Sequence, residues 1–145
     1  MNVSEETENR ILEKAEYVEG AVTVLAQKQS LDKESYRTDR EERAIVEREF
    51  QTAIEACIDI AKLLIAETER EIPDTNAEQF ATLGGLGLIS EETSQRMQKA
   101  AGFRNILTHS YGPDIDDTEV YQHLQNELTW IVKYLREVRD CLDNE

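Results

Sequence analysis

The sequence predicts an all-α fold, an antiparallel up-and-down bundle of four to five helices. Apolar residues recur at steps of three and four over long stretches, and no segment alternates convincingly as a β-strand. The 145 residues include only 2 Pro and 6 Gly, so loops should be short. With 39% hydrophobic residues the chain can fill one core, and we expect a single domain over residues 1–145.

The first predicted helix has one apolar stripe, and Ser4 is suited to cap its start because a serine hydroxyl accepts hydrogen bonds from free backbone N–H groups. The stripe contains Ile11, Ala15, Val18, Val22 and Leu25. After a polar connection, Thr38 and Glu41 have the spacing of a capping box for a long second helix. We expect this helix to end near Arg70, before Pro73.

The second helix should be the centre of the bundle, since its segment AIEACIDIAKLLIA is apolar on most sides. Its main repeat is Phe50, Ile54, Cys57, Ala61 and Leu64. One narrow polar edge contains Arg48, Glu55, Asp59 and Lys62. Two interpretations of this edge stay open. It is a solvated face, or Glu55 and Asp59 lie near a cleft in which a carboxylate orients a basic or catalytic partner.

Three further helices complete the prediction. A short one covers about 77–83 and is followed by a glycine turn at Gly84, Gly85 and Gly87. Ser90 should cap the fourth helix. The last helix begins at 116–118 and has a regular seam typical of a bundle. The seam contains Leu124, Leu128, Ile131, Leu135, Val138 and Leu142.

The charge of the chain is strongly negative: 31 acidic and 16 basic residues give -15. This excludes proteins that coat nucleic acid or lie on anionic lipid, because both need a basic surface. The acid excess favours adaptation to concentrated salt, the alternative being an ordinary acidic protein. The polar, acidic N-terminus and the lack of a long apolar stretch predict a cytoplasmic protein. Cys57 and Cys141 are expected to be reduced, packed thiols.

Reactive side chains are concentrated in GFRNILTHSYGPD, between the fourth and fifth predicted helices. Arg104 offers a permanently charged fork for a phosphate, and His109 can exchange a proton near neutral pH. On an unbroken helix the two are offset by about 140°. A local opening of the helix would bring them to one side. The structural alternative is that Arg104, His109 and Tyr111 only cap and pack a helix end.

The run RNILTHSY has the form R-x4-H-x-Y, and through it the chain resembles the HepT-like branch of the HEPN superfamily, toxins of HEPN/MNT toxin-antitoxin modules. The resemblance covers nearly the whole chain, including the long helix and the GLISEE start of the fourth. It implies a metal-independent endoribonuclease of a type VII system, which works without a cofactor as a homodimer with a composite cleft. Neither DNA nor a membrane is an expected partner.

The resemblance also implies roles for single residues. Arg104 would hold the scissile phosphate, His109 would be the general acid or base, and Asn105 would help to position the RNA. An MNT-type nucleotidyltransferase antitoxin would transfer AMP from ATP to Tyr111 and so exclude substrate phosphate. Glu55 and Asp59 remain possible cleft acids.

Two other functions compete with the nuclease. One is a catalytically silent nucleotide-binding or partner-docking module, and the other is a bundle subunit with no site. Outside the motif, His123 is expected to be an exposed or interface histidine, and Trp130 lies off the heptad seam, where it would cover a dimer contact.

Overall fold

The computed structural model describes residues 1–143. This range contains seven α-helices, a short 3-10 turn (Gly112–Asp114) and no β-strand. The α-helices are α1 (Glu5–Lys28), α2 (Lys33–Thr38), α3 (Arg40–Glu67), α4 (Asn76–Gly85), α5 (Glu91–His109), α6 (Asp117–Asn126) and α7 (Leu128–Asp143). The all-α prediction is confirmed. The predicted count of four to five helices is wrong, because the first connection contains α2 and the last predicted helix is divided into α6 and α7.

The two longest helices, α1 and α3, pack antiparallel. The Ser4 hydroxyl donates to Glu67 Oε1 at 3.2 Å, which places the start of α1 at the end of α3. At the opposite end, Lys28 Nζ lies 2.9 Å from Glu42 Oε2. No helix within residues 1–143 is long and apolar enough to cross a membrane.

The predicted stripe of α1 is buried with one exception. Val22 is only partly buried, and Ala21 takes the position in the core. Ser4 caps α1 as predicted, because its side chain accepts a hydrogen bond from the backbone N–H of Thr7 at 3.1 Å.

The predicted capping box at the start of α3 is wrong, because Asp39 is the cap. The Asp39 carboxylate accepts hydrogen bonds from the backbone N–H groups of Glu41 at 3.0 Å and Glu42 at 3.1 Å. Thr38 is the last residue of α2, and its hydroxyl donates to a carbonyl of that helix. A carboxylate at this position also interacts favourably with the positive end of the helix dipole.

α3 occupies the centre of the bundle, as predicted, but it ends at Glu67, before the expected Arg70. Glu69 adopts a left-handed conformation with φ 62°, which turns the chain out of the helix before Pro73. The whole predicted repeat is buried: Phe50, Ile54, Cys57, Ala61 and Leu64.

The glycine group after the third predicted helix is only partly a turn. Gly84 and Gly85 belong to α4, and Gly87 forms the turn with φ +74°. A Cβ on Gly84 would lie 2.7 Å from Cβ and Oγ of Ser94, so α4 and α5 approach closely only because residue 84 has no side chain. The Ser94 hydroxyl then donates to the Phe80 carbonyl at 2.9 Å.

The last predicted helix is interrupted at Glu127, which separates α6 from α7. Its seam still faces the core, and all six positions are buried: Leu124, Leu128, Ile131, Leu135, Val138 and Leu142. Tyr134 is also fully buried, and its hydroxyl donates to the Cys57 carbonyl on α3 at 2.9 Å. Cys57 and Cys141 are buried free thiols, as predicted.

Candidate functional site

The motif lies at the end of α5, which stays a closed helix to its last residue, His109. The backbone N–H of Ser110 still donates to the carbonyl four residues earlier, and Phe103 and Leu107 are buried in the core. Of the two alternatives for this stretch, the unbroken helix is the one observed, and the local opening does not occur. On this closed helix Arg104 and His109 are separated by about 7.5 Å along the axis and about 140° around it, so the helix directs them to different sides.

Arg104 forms an ion pair with Glu55 of α3, through Nη2 and Oε2. The Arg104 side chain is 21% exposed and that of Glu55 51% exposed, so the pair lies at the surface and is open to solvent. Arg104 Nη1 also points toward Asn105 Oδ1 at 3.5 Å, a long and weak contact. The structure therefore brings three of the predicted residues together: the motif arginine, its neighbour and one cleft acid.

Asp59, the second predicted cleft acid, lies elsewhere. Its carboxylate pairs with Lys14 Nζ on α1 at 3.3 Å. One helical turn on α3 thus separates a carboxylate that faces α5 from one that faces α1. Arg48 and Lys62, at the two ends of the polar edge, are exposed. Asp59, Arg48 and Lys62 fit the solvated-face interpretation, whereas Glu55 pairs with a basic partner as the second interpretation expects, at an open surface.

His109 and Tyr111 are both solvent-accessible. The Tyr111 side chain is the most open of the large hydrophobic ones, with the residue 83% exposed, and its backbone is extended at φ -154°. Within residues 1–143 neither the imidazole nor the phenol has a hydrogen-bond partner. Gly112, at φ +59°, and Pro113 then turn the chain toward α6. Both reactive groups are therefore available to a second molecule.

The site can perform acid-base chemistry on a phosphodiester. Arg104 can bind a phosphate oxygen pair once Glu55 moves away, and His109 can give or take a proton. The Tyr111 hydroxyl is accessible enough to accept a transferred group. No cluster of three or more His, Cys, Asp or Glu within residues 1–143 is arranged to hold a metal ion.

A small cavity of about 40 Å³ lies between α3, α5, α6 and α7, and neither Arg104 nor Glu55 lines it. His123 lines it and is partly buried, so the exposed position is wrong, whereas the alternative of an interface histidine stays a prediction. Its ring stacks on Phe103, with centroids 3.9 Å apart and planes 11° apart. Desolvation lowers the pKa of His123, although Glu127 and Glu119 act in the opposite direction.

Trp130 lines the same cavity and is partly buried between cations. Arg96 Cζ lies 4.8 Å and Lys133 Nζ 5.0 Å from the centre of its ring. Sequence reasoning missed this group. The three-residue spacing of Trp130 and Lys133 on one helix could have predicted their contact. The contact with Arg96 could not be predicted in this way, because Arg96 comes from another helix.

Comparison with known proteins gives a consistent result. The family model described as Ribonuclease HepT-like matches residues 9–138. The tRNA nuclease HepT of Aphanizomenon flos-aquae is 27% identical over 114 residues, which are 79% of this chain and 77% of that protein. The mRNA nuclease HepT of Shewanella oneidensis is 34% identical over 80 residues, 53% of this chain and 60% of that protein.

Solved structures share the fold. A toxin-antitoxin complex with AMP-PNP superposes with a TM-score of 0.84 at 23% identity, covering 91% of this chain and 98% of the matched one. The tri-AMPylated HEPN toxin of Shewanella oneidensis in complex with its MNT antitoxin gives 0.82 at 24% identity, covering 97% and 99%. At these identities the likeness shows the fold alone.

Proposed function

The chain belongs to the ribonuclease HepT-like family, and on that premise we propose that it is the RNA-cleaving toxin of a HEPN/MNT toxin-antitoxin pair. Membership in this family makes it an endoribonuclease. The proposal is supported mainly by the end of α5, where an arginine at the surface, an accessible imidazole and an accessible phenol follow one another. The fold shared with toxins in antitoxin complexes supports the same assignment.

In the proposed reaction Arg104 holds the scissile phosphate and His109 transfers the proton. The imidazole takes the proton of a ribose 2′-hydroxyl, whose oxygen attacks the phosphorus and expels the 5′ oxygen of the next nucleotide. That oxygen takes a proton from a protonated imidazole, leaving a cyclic phosphate and a free 5′-hydroxyl. Arg104 stabilises the charge that develops on the phosphoryl oxygens. Neither a metal ion nor a cofactor enters these steps.

The site is proposed to be composite, formed by two copies of the chain. Because α5 is closed, Arg104 and His109 of one chain point to different sides of the helix. Two copies related by a twofold axis can place Arg104 of one chain opposite His109 of the partner subunit. Asn105, exposed beside Arg104, would contact the RNA on either side of the scissile phosphate.

Tyr111 is the proposed acceptor of AMP from an MNT-type nucleotidyltransferase antitoxin. The phenol oxygen attacks the α-phosphorus of ATP, pyrophosphate leaves, and the phenolic proton passes to solvent. The 83% exposure of Tyr111 supports this role, because an enzyme must reach the hydroxyl. The bound AMP adds bulk and negative charge seven residues after Arg104, where it would compete with RNA phosphate.

The nuclease assignment is tested by RNA cleavage in EDTA. Wild type should cleave, whereas Arg104→Ala and His109→Ala should each lose at least about 100-fold in rate. Arg48→Ala, an exposed arginine of α3 outside the motif, is the matched control and should keep full activity. Equal cleavage by all four proteins would indicate a contaminant or another site and would contradict the proposal.

The modification is tested separately by mass spectrometry after incubation with the nucleotidyltransferase and ATP. The chain should gain one or more AMP masses, and Tyr111→Phe should gain none while keeping nuclease activity. Tyr17→Phe is the matched control, since Tyr17 is also exposed, at 63%, but lies on α1. An undiminished adduct on Tyr111→Phe would place the acceptor at another residue.

A further inference from the structure

Trp130 is the only tryptophan of the chain, and two cations contact its ring. Arg96 and Lys133 lie over its ring, at 4.8 Å and 5.0 Å from the ring centre. Lys99 is exposed on α5 and lines the same cavity. An aromatic side chain among arginines and lysines is the arrangement that binds single-stranded nucleic acid, because bases stack on the ring and cations hold the phosphates.

The charge of this group differs from that of the rest of the chain. Glu127, whose Oε1 lies 3.7 Å from Arg96 Nη1, is the one carboxylate on the cavity wall. On the cavity wall Arg96 and Lys99 exceed Glu127 by one positive charge, and Lys133, which is not part of the wall, lies over the Trp130 ring, on a chain of net charge -15. A polyanion that approaches this acidic chain is attracted only where positive charges outnumber negative ones.

The group shares helix α5 with the proposed catalytic site. The cavity wall includes Phe103 and Ile54, the sequence neighbours of Arg104 and Glu55. Arg96 precedes Arg104 by eight residues on α5, about 12 Å along its axis and about 80° around it, and Lys99 is offset from Arg104 by about 140°. An RNA strand held at Arg104 would therefore reach this surface by winding partly around α5.

We propose that Arg96, Lys99, Trp130 and Lys133, here termed the Trp130 platform, bind the single-stranded RNA that flanks the scissile phosphate. The inference rests on the proposed nuclease function and adds a substrate-binding surface to it. One base stacks against the indole, where it displaces Arg96 or Lys133 from the ring, and the three cations contact phosphates on either side. The platform favours RNA that is unpaired next to the cleavage point, because a base inside a duplex cannot stack on the ring.

RNA binding to the platform can be followed by intrinsic fluorescence, since Trp130 is the only tryptophan of the chain. The His109→Ala chain, which should not cut RNA, is titrated with an unstructured RNA of ten adenosines. We expect the emission to fall in a saturable way, because a stacked base quenches indole fluorescence. Binding of the same RNA with a fluorescent label is followed by anisotropy. There Trp130→Ala should weaken Kd by about tenfold.

Two lysines provide matched variants. Lys99→Gln should weaken Kd several-fold, and since Lys99 is exposed the change should leave folding intact. Lys33→Gln, on α2 and outside the cavity wall, should have no effect. Unchanged binding by both Lys99→Gln and Trp130→Ala would overturn the platform.

The outcomes separate the platform from the nuclease function. RNA cleavage in EDTA without any change in Trp130 emission would overturn the platform and leave the nuclease standing. Quenching without cleavage by wild type would support the platform and overturn the nuclease. Emission that responds to dilution of the protein and not to RNA would make this surface a contact between two copies, which also overturns the platform.

Discussion

Mixing two inactive variants, Arg104→Ala and His109→Ala, should restore RNA cleavage. The closed helix separates these side chains by about 7.5 Å along the axis and about 140° around it, so each proposed site takes its arginine and its histidine from different chains. In a mixed dimer one site loses both groups and the other keeps both. Random exchange gives roughly one half mixed dimers, each with one intact site of two, hence about one quarter of the wild-type rate.

The assay compares initial rates of RNA cleavage in EDTA for each variant alone and for an equimolar mixture, after subunit exchange or coexpression. Each variant alone should lie at least about 100-fold below wild type. The doubly substituted chain, Arg104→Ala with His109→Ala, is the control, because mixing it with either single variant cannot rebuild a site. A mixture of the single variants no more active than its components would refute the composite site and require both groups to act within one chain.

Three further predictions follow from charge and packing. Glu55→Gln should lower KM for RNA, because it releases Arg104 from its ion pair. The free energy of unfolding should change by less than about 1 kcal/mol, as for other exposed ion pairs. A loss of cleavage would instead show that Glu55 is essential for activity. Gly84→Ala should lower the free energy of unfolding by about 1–3 kcal/mol, because the new methyl group meets Ser94. Gly20→Ala, in open space on α1, should instead raise it by about 0.5–1 kcal/mol. Equal effects in denaturant unfolding would contradict the close packing of α4 on α5. The melting temperature should rise between dilute and molar KCl, since salt screens the net charge of -15, and a flat curve would remove the proposed adaptation to salt.

Periodicity was sufficient to predict the helices, but local rules placed some of their boundaries wrongly. Thr38 and Asp39 are both good capping residues, and the choice of Asp39 depends on α2, whose six residues show no long apolar pattern. Gly84 looked like a turn residue because its actual constraint, the approach of Ser94, comes from the next helix. The interruption at Glu127 left the apolar seam intact, so the seam could not reveal it.

The sequence was sufficient to predict which residues belong to the candidate site, but not which of them contact one another. The motif identified Arg104, His109 and Tyr111, and the polar edge of α3 suggested Glu55 as a partner. Which acid would meet the arginine was not predictable, since the ion pair joins residues 49 positions apart. The stacking of His123 on Phe103 was missed for the same reason, because it joins α6 to α5.

The Arg104–Glu55 pair has a consequence for how RNA binding responds to ionic strength. Ordinarily a phosphate that binds a free arginine releases condensed counterions, and the affinity falls steeply as salt is added. Here the arginine already holds an anion of the protein. When phosphate replaces Glu55, the freed carboxylate attracts cations from solution. These offset the cations that the phosphate releases, so the total number of bound counterions hardly changes. A catalytic contact of this kind loses little affinity in concentrated salt, whereas contacts of RNA phosphate with exposed lysines such as Lys99 weaken steeply.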